Sequence, residues 1–280
     1  MADVSATQLT EELLKQYEAW LTNNCVSNNS ISTYNRSLHA IYQRAVNGLP
    51  SMPDPFANVY RGVADTVKRA LSSSEIHLVA TFDIRSALIE ARRKEGKKPS
   101  GKRFDNTLEK LTFVRDLFIF SFCMRGMNFI DMAYLCKGNV SNDTISYCRS
   151  KTRKWQSVTI EEEMRDIMDR HPADGIYQFP ILKSAGSEKE LYKTYRSALS
   201  HFNKSLAALG KLMGLQLTSY VSRHSWADIA YEQEGIYFAS EGLGHSSIRT
   251  TQIYINSINS NRLTEGNHKL IKNVLRKNED

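Results

Sequence analysis

The stretch LEKLTFVRDLFIFSFCMRGMNFIDMAYL, residues 108–135, limits the fold of this chain more than any other. It reads as a buried helix followed by a second one, forming the core of the larger of two domains. Arg125 stands directly after the apolar run FIFSFCM, where continued burial favours another hydrophobe. A guanidinium in that position is either a structural ion pair, with Asp131 as the candidate partner, or is aimed at a ligand.

The chain has 280 residues, of which 41% are hydrophobic, enough for two cores. The spacing predicts a helical domain over residues 1–73 and a second domain over 74–280. In the first, TEELLKQYEAWLTNN places Leu13, Leu14, Tyr17, Trp20 and Leu21 at helical spacing. ISTYNRSLHAIYQRAV places Ile31, Tyr34, Leu38, Ile41 and Ala45 on one stripe, opposite Asn35, Arg36, His39, Gln43 and Arg44. GLPSMPDPFANVY is a proline-rich connection, and RGVADTVKRAL reads as a short helix leading to a serine cap at 72–74.

From Ser74 the composition shifts. ARRKEGKKPSGKR carries seven basic residues from Arg92 to Arg103 against the single acid Glu95, and reads as a loop, either a solvated helix end or a phosphate contact. Between Thr144 and Ile160 the period changes to two, giving a β-hairpin from TISYCR and WQSVTI with the basic turn SKTRK and Lys151 at its tip. A loop at HPADGIYQFPILKSAGS and a helix carrying Leu191, Tyr195, Leu199, Phe202, Leu206 and Leu209 follow. The expected class is mainly α with a small antiparallel sheet.

Thirty-seven Lys and Arg against thirty Asp and Glu give a net charge of +7, which suits a polyanionic partner without proving one. Cys25, Cys123, Cys136 and Cys148 show no C-x-x-C spacing, which argues for reduced thiols in a cytoplasm and against zinc or a disulfide framework. No apolar run reaches 18 residues, and the amino terminus lacks the pattern of a signal peptide.

Other basic side chains fall where folding alone does not ask for them. Arg223 and His224 sit within LTSYVSRHSWADIA, and His245 within the Gly-Leu-Gly-His turn. His245 and Tyr254, nine residues apart, fall on opposite faces of an unbroken helix. A break capped by Ser246 or Ser247 brings Tyr254 back toward the histidine. Singly, each has a plain explanation: His224 as a hydrogen-bonded core residue, Lys151 as a turn residue, Tyr254 as part of an amphipathic helix.

Together, Arg125, Lys151, Arg223, His245 and Tyr254, within FCMRGMNFIDMAYL, RSKTRKW, LTSYVSRHSWA and GLGHSSIRTTQIYI, closely resemble the tyrosine recombinase or phage integrase family. The likeness is greatest to integrases of Bacteroidetes mobile elements and covers nearly the whole chain, with a SAM-like core-binding domain over 1–73. It implies a C-shaped clamp on double-stranded DNA and strand exchange through a 3′-phosphotyrosine. Tyr254 becomes the nucleophile, Arg125 and Arg223 hold the phosphate oxygens, Lys151 protonates the departing 5′-oxygen, and His245 hydrogen-bonds the phosphate. Arg36, Arg44, Arg153 and Lys154 become DNA contacts. The two arginines supply the positive charge that a metal gives elsewhere, so neither metal nor cofactor is expected. A homotetramer on paired sites, joined through the C-terminal tail, is the expected assembly.

One position departs from the family pattern. Tyr220 stands three residues before Arg223, where the commoner pattern has a histidine. A neutral tyrosine relays a hydrogen bond but is a poor base at pH 7, so the catalytic base is either Tyr220 as a weaker substitute or Lys151 together with water. Two other readings share these residues: a DNA-binding relative with impaired catalysis, and a type IB topoisomerase-like activity.

Overall fold

A computed structural model describes residues 5–48, 53–64, 69–183, 186–245, 247–248 and 251. The chain divides into two compact units, Met1–Val67 and Lys68–Asp280.

In the first unit, Thr10 caps helix α1 (Glu11–Asn23) by accepting from the Leu13 N–H, and Ser27 caps α2 (Asn28–Ala45) by accepting from the Ser30 N–H. Leu14, Tyr42, Phe56 and Val59 form the core, so the proline-rich connection contributes packing as well as a turn. The buried face of α2 differs from the expected stripe. Ile31, Ser32, Asn35 and Tyr42 are buried, while Ile41 is 62% exposed. The cause is polar: the Asn35 amide donates to Glu18 Oε1 (2.6 Å) and to the Tyr60 carbonyl (3.0 Å), and this pairing fixes which face turns inward.

The short helix expected before Ser72 does not form at Arg61–Ala64 or at Arg69–Leu71; residues 65–68 lie outside the described set. Asn29 holds Ala64 from both sides, donating to its carbonyl and accepting from its N–H at 2.9 Å. Those bonds occupy the backbone groups a helix there would use.

The second unit opens with α3 (Ser73–Thr81), started by a Ser72–Glu75 capping box, and α4 (Ile84–Lys94). Arg92, Arg93 and Lys94 form the last turn of α4, so that part of the basic stretch is a helix end rather than a loop. Cations there complement the carbonyl end of the helix dipole. Next come α5 (Lys102–Cys123), α6 (Phe129–Ala133), β1 (Val140–Ser141), β2 (Thr144–Cys148), β3 (Trp155–Thr159) and α7 (Glu162–Arg170). The three strands form an antiparallel sheet in the order β1-β2-β3, with Ile145 opposite Val158. The remaining helices are α8 (Glu188–Met213), α9 (Val221–Glu234) and α10 (Ile236–Gly242).

Helix α5 is the axis of this unit and packs against α3, α4, α7, α8 and α9. Leu111, Val114, Leu117, Phe118 and Phe120 bury its length, as the apolar stretch requires. The fold is therefore mainly α with a small antiparallel sheet. Among the described residues no helix is long and apolar enough to cross a membrane.

A candidate phosphate site built on buried arginines

The C-terminus of α5 sets the first arginine. Arg125 adopts φ 55° and its N–H bonds the Phe122 carbonyl, while the Gly126 N–H reaches back to the Ser121 carbonyl. This left-handed cap ends the helix and turns the chain toward α9. Ser121 Oγ donates to the Met127 carbonyl at 2.7 Å, and therefore accepts from Ser222 Oγ at 2.8 Å. The end of α5 is thus fastened to the start of α9.

Gly126 makes the close approach possible. An added Cβ would sit 2.7 Å from both Cα and Cγ of Arg223, so no side chain fits there. Arg223 is 3% exposed and donates from Nη1 to the Gly126 carbonyl (2.9 Å) and from Nη2 to the Leu243 carbonyl (2.9 Å). The two arginines are joined by the chain itself: the residue following the first accepts a hydrogen bond from the second. The expected ion pair of Arg125 with Asp131 is absent; Asp131 instead accepts from the Ser150 N–H at 2.8 Å. Arg125 has no hydrogen-bonded or ionic side-chain partner among the described residues, and it also borders a cleft of about 760 Å³ whose lining includes Glu161 and Glu163 but not Arg223.

A third guanidinium joins the site, and the candidate set drawn from sequence omitted it. Arg149 is 4% exposed and donates from Nη1 to the same Leu243 carbonyl, at 2.6 Å. Its position was legible in the alternation of β2, where Ile145 and Tyr147 are buried and Arg149 continues their face. Tyr147 reports the crowding of charge. Burial and then Asp131 push its phenol up to about 12, against the opposing pull of Arg149, Arg223 and Arg125.

His245 completes the cluster. The chain leaves α10 at Leu243 and Gly244, the latter at φ 64°, and is helical again at Ile248 and Thr251. That is the break the Gly-Leu-Gly-His turn predicts. His245 Nε2 lies 3.2 Å from Arg223 Nη2, and Nδ1 lies 2.9 Å from Thr251 Oγ1. A guanidinium only donates, so Nε2 carries the lone pair and Nδ1–H donates to Thr251. Burial, followed by Arg223, Arg149, Lys151 and Lys154, drives the imidazole down to about 4, so it is neutral at pH 7. A bond from Nε2 to a phosphate requires this pairing with Arg223 to part and Nε2 to gain a proton.

Lys151 lies exposed at the hairpin turn, flanked by Arg153 and Lys154, also exposed. None of the three forms an ion pair among the described residues. Tyr220, at the N-terminus of α9, is 40% exposed and meets the His224 ring edge-on with centroids 5.0 Å apart. Arg36 belongs to the first unit, where its guanidinium donates to the Arg61 carbonyl (2.7 Å) and the Gly62 carbonyl (3.2 Å), and Arg44 is exposed at the end of α2. Tyr254 and the C-terminal tail lie outside the described residues. Among the described residues no group of His, Cys, Asp and Glu could hold a metal ion.

Comparison with known proteins bears on the family and the fold. A model described as the phage integrase family matches residues 114–261, more than half of the chain, and one described as the phage integrase SAM-like domain matches residues 1–56. Among solved structures, a lambda integrase dimer bound to a COC′ core site is similar at 14% identity with a TM-score of 0.61, covering 91% of this chain and 82% of that one. A lambda integrase tetramer bound to a Holliday junction is similar at 11% identity and a TM-score of 0.62, covering 91% and 67%. The integrase of transposon Tn1549, in complex with transposon right end DNA, is similar at 14% identity and a TM-score of 0.64, covering 96% and 87%. These likenesses are of fold. No curated protein sequence matches the chain.

Proposed function

The chain belongs to the phage integrase family, and from that premise we propose that it is a site-specific DNA recombinase that breaks and rejoins strands through a tyrosine–phosphate bond. The observation that carries the reading is the cluster of Arg223, Arg149 and His245 at the Leu243 carbonyl. Burying this much positive charge against main-chain oxygens costs stability that a bound anion offsets, and such clusters are found where a site serves one.

In the proposed reaction, Tyr254 Oη attacks the scissile phosphorus and the phosphorus–O5′ bond breaks. The Lys151 ammonium gives its proton to the departing 5′-oxygen, and the phenol proton passes to water. A phenol with a pKa near 10 is only about 0.1% ionised at pH 7, so stabilisation of the transition state must supply the drive. Arg125 and Arg223 provide it by holding the non-bridging oxygens as charge grows, each worth roughly 3 kcal/mol by analogy with oxyanion donors. Rejoining runs in reverse: an incoming 5′-hydroxyl attacks the phosphotyrosine, its proton returns to Lys151, and water reprotonates Tyr254. His245, neutral, orients the Arg223 guanidinium. Arg36, Arg44, Arg153 and Lys154 hold the DNA backbone through phosphate contacts. Assembly on paired sites as a tetramer, with the C-terminal tail joining neighbours, belongs to the same reading, and the solved tetramer of lambda integrase on a junction supports it.

The exposed Tyr220, in place of the family's histidine, favours a second reading, a DNA-binding relative with impaired catalysis. One experiment separates the two. Nicked duplexes tiling the DNA that flanks the coding region are incubated with the protein and resolved on a denaturing gel. The expected result is a covalent protein–DNA adduct with one of them, lost in Tyr254→Phe. An adduct with none of the duplexes, or one that persists in Tyr254→Phe, overturns the recombinase reading.

A further inference from the structure

Arg149 lies outside the set of groups that the proposed reaction assigns to the phosphate, yet it is as deeply buried as Arg223 and shares its acceptor. What distinguishes it is its place in the chain. It sits two residues before Lys151, at the base of the hairpin turn, where its N–H donates to the Lys154 carbonyl and its carbonyl accepts from the Arg153 N–H, each at 2.9 Å. Its backbone closes the turn that carries Lys151, while its side chain reaches out of the hairpin to the Leu243 carbonyl, two residues before His245. The contact is close on both sides. Gly244 has φ 64°, and an added Cβ there would lie 2.7 Å from Gln156 Nε2 on β3 and 3.4 Å from Arg149 Nη1. The left-handed φ favours glycine at this turn, and an added side chain would have to displace the Gln156 amide.

On the other face of the turn, the Ser150 N–H is held by Asp131 Oδ1. The segment carrying Lys151 is therefore pinned at Ser150 to α6 and at Arg149 to the end of α10. A hairpin this short, with an exposed tip, has no packing of its own to fix where its lysine points. The two pins supply what packing does not.

We infer that Arg149 is a positioning residue for strand cleavage: by tying the hairpin to the Leu243 carbonyl it sets the reach of Lys151 relative to Arg223 and His245. The inference rests on the reading of Lys151 as the proton donor to the leaving 5′-oxygen. Loss of Arg149 then weakens proton delivery in particular. Proton donation of this kind contributes about 10²- to 10⁴-fold to a rate.

The test exploits the leaving group. In a nicked duplex whose scissile 5′-bridging oxygen is replaced by sulfur, the departing thiol has a pKa near 8.5, so the thiolate leaves without a proton. Single-turnover cleavage is measured on the oxygen and sulfur duplexes for the wild type, Lys151→Met and Arg149→Met. The expected result is that both variants are slowed about 100-fold or more on oxygen and return to within about tenfold of the wild type on sulfur. Arg149→Lys keeps the charge but presents a differently shaped donor. If Arg149→Met does not fold, Arg149→Lys gives the same comparison, slowed about tenfold on oxygen and normal on sulfur. An oxygen-to-sulfur rate ratio equal to that of the wild type, in whichever Arg149 variant folds, overturns the inference. Failure of sulfur to rescue Lys151→Met overturns the underlying role of Lys151, a separate result.

Discussion

Replacing Gly126 with alanine separates two costs that a glycine usually hides together. At φ 71° the backbone is left-handed, which costs an alanine about 1–2 kcal/mol. Its Cβ would also fall 2.7 Å from Cα and Cγ of Arg223. Neither atom yields easily, because Ser222 and Ser225 beside Arg223 on α9 are 0% exposed. Overpacking of this kind adds about 1–3 kcal/mol. The molecule contains its own control: Gly214 has nearly the same φ, 72°, with nothing within 4 Å of an added Cβ. Gly214→Ala should lose about 1–2 kcal/mol and Gly126→Ala about 2–5 kcal/mol. For a unit of this size, calorimetry should show melting lowered by roughly 2–8 °C in the control and by roughly 4–20 °C in Gly126→Ala. Gly126→Ala should also slow formation of the covalent adduct, whereas Gly214→Ala should not. Equal loss of stability in the two variants would refute the claim that Gly126 is glycine because Arg223 lies against it.

The two arginines proposed to hold the phosphate should behave differently when removed. Arg125→Ala and Arg223→Ala should each slow cleavage about 100-fold or more, but only Arg223→Ala should lower the melting temperature appreciably. That change strips its donor from the Gly126 carbonyl, at about 1–3 kcal/mol, while the Leu243 carbonyl keeps the bond from Arg149. Calorimetry beside single-turnover cleavage reads both, and an equal fall in melting temperature would sink the distinction. His245 should stay neutral well below its ordinary value of 6.5, since its folded value is about 4. An unfolded chain takes up a proton there that the folded one refuses, so the associated stability is complete above 6.5 and declines as pH falls toward 4. Ring-nitrogen NMR between pH 4 and 8 measures this directly; titration near 6.5 would contradict the buried, arginine-lined setting.

Much of the second unit could be read from sequence because its signals are local. The period of two over Thr144–Ile160 forecasts the hairpin, and the glycines of Gly-Leu-Gly-His forecast the break before His245. The reading faltered where distant partners decide. Asn35 turns inward because Glu18 and Tyr60 wait for it, and no periodicity in α2 announces that. Asn29 diverts Ala64 from a helix across 35 residues. Arg149 was missed for another reason: its burial follows the parity of β2, but a charged residue in a basic turn reads as solvated until its acceptor, a carbonyl 94 residues away, is known.

That acceptor has a consequence for anyone mapping the site by mutation. The oxygens that anchor Arg149 and Arg223 belong to Gly126 and Leu243 as links of the polymer, not as side chains. Every codon at position 243 encodes the same oxygen. A scan that replaces one side chain at a time will find the arginines but never what moors them, and amide-to-ester exchange at those two links is the perturbation that reaches it.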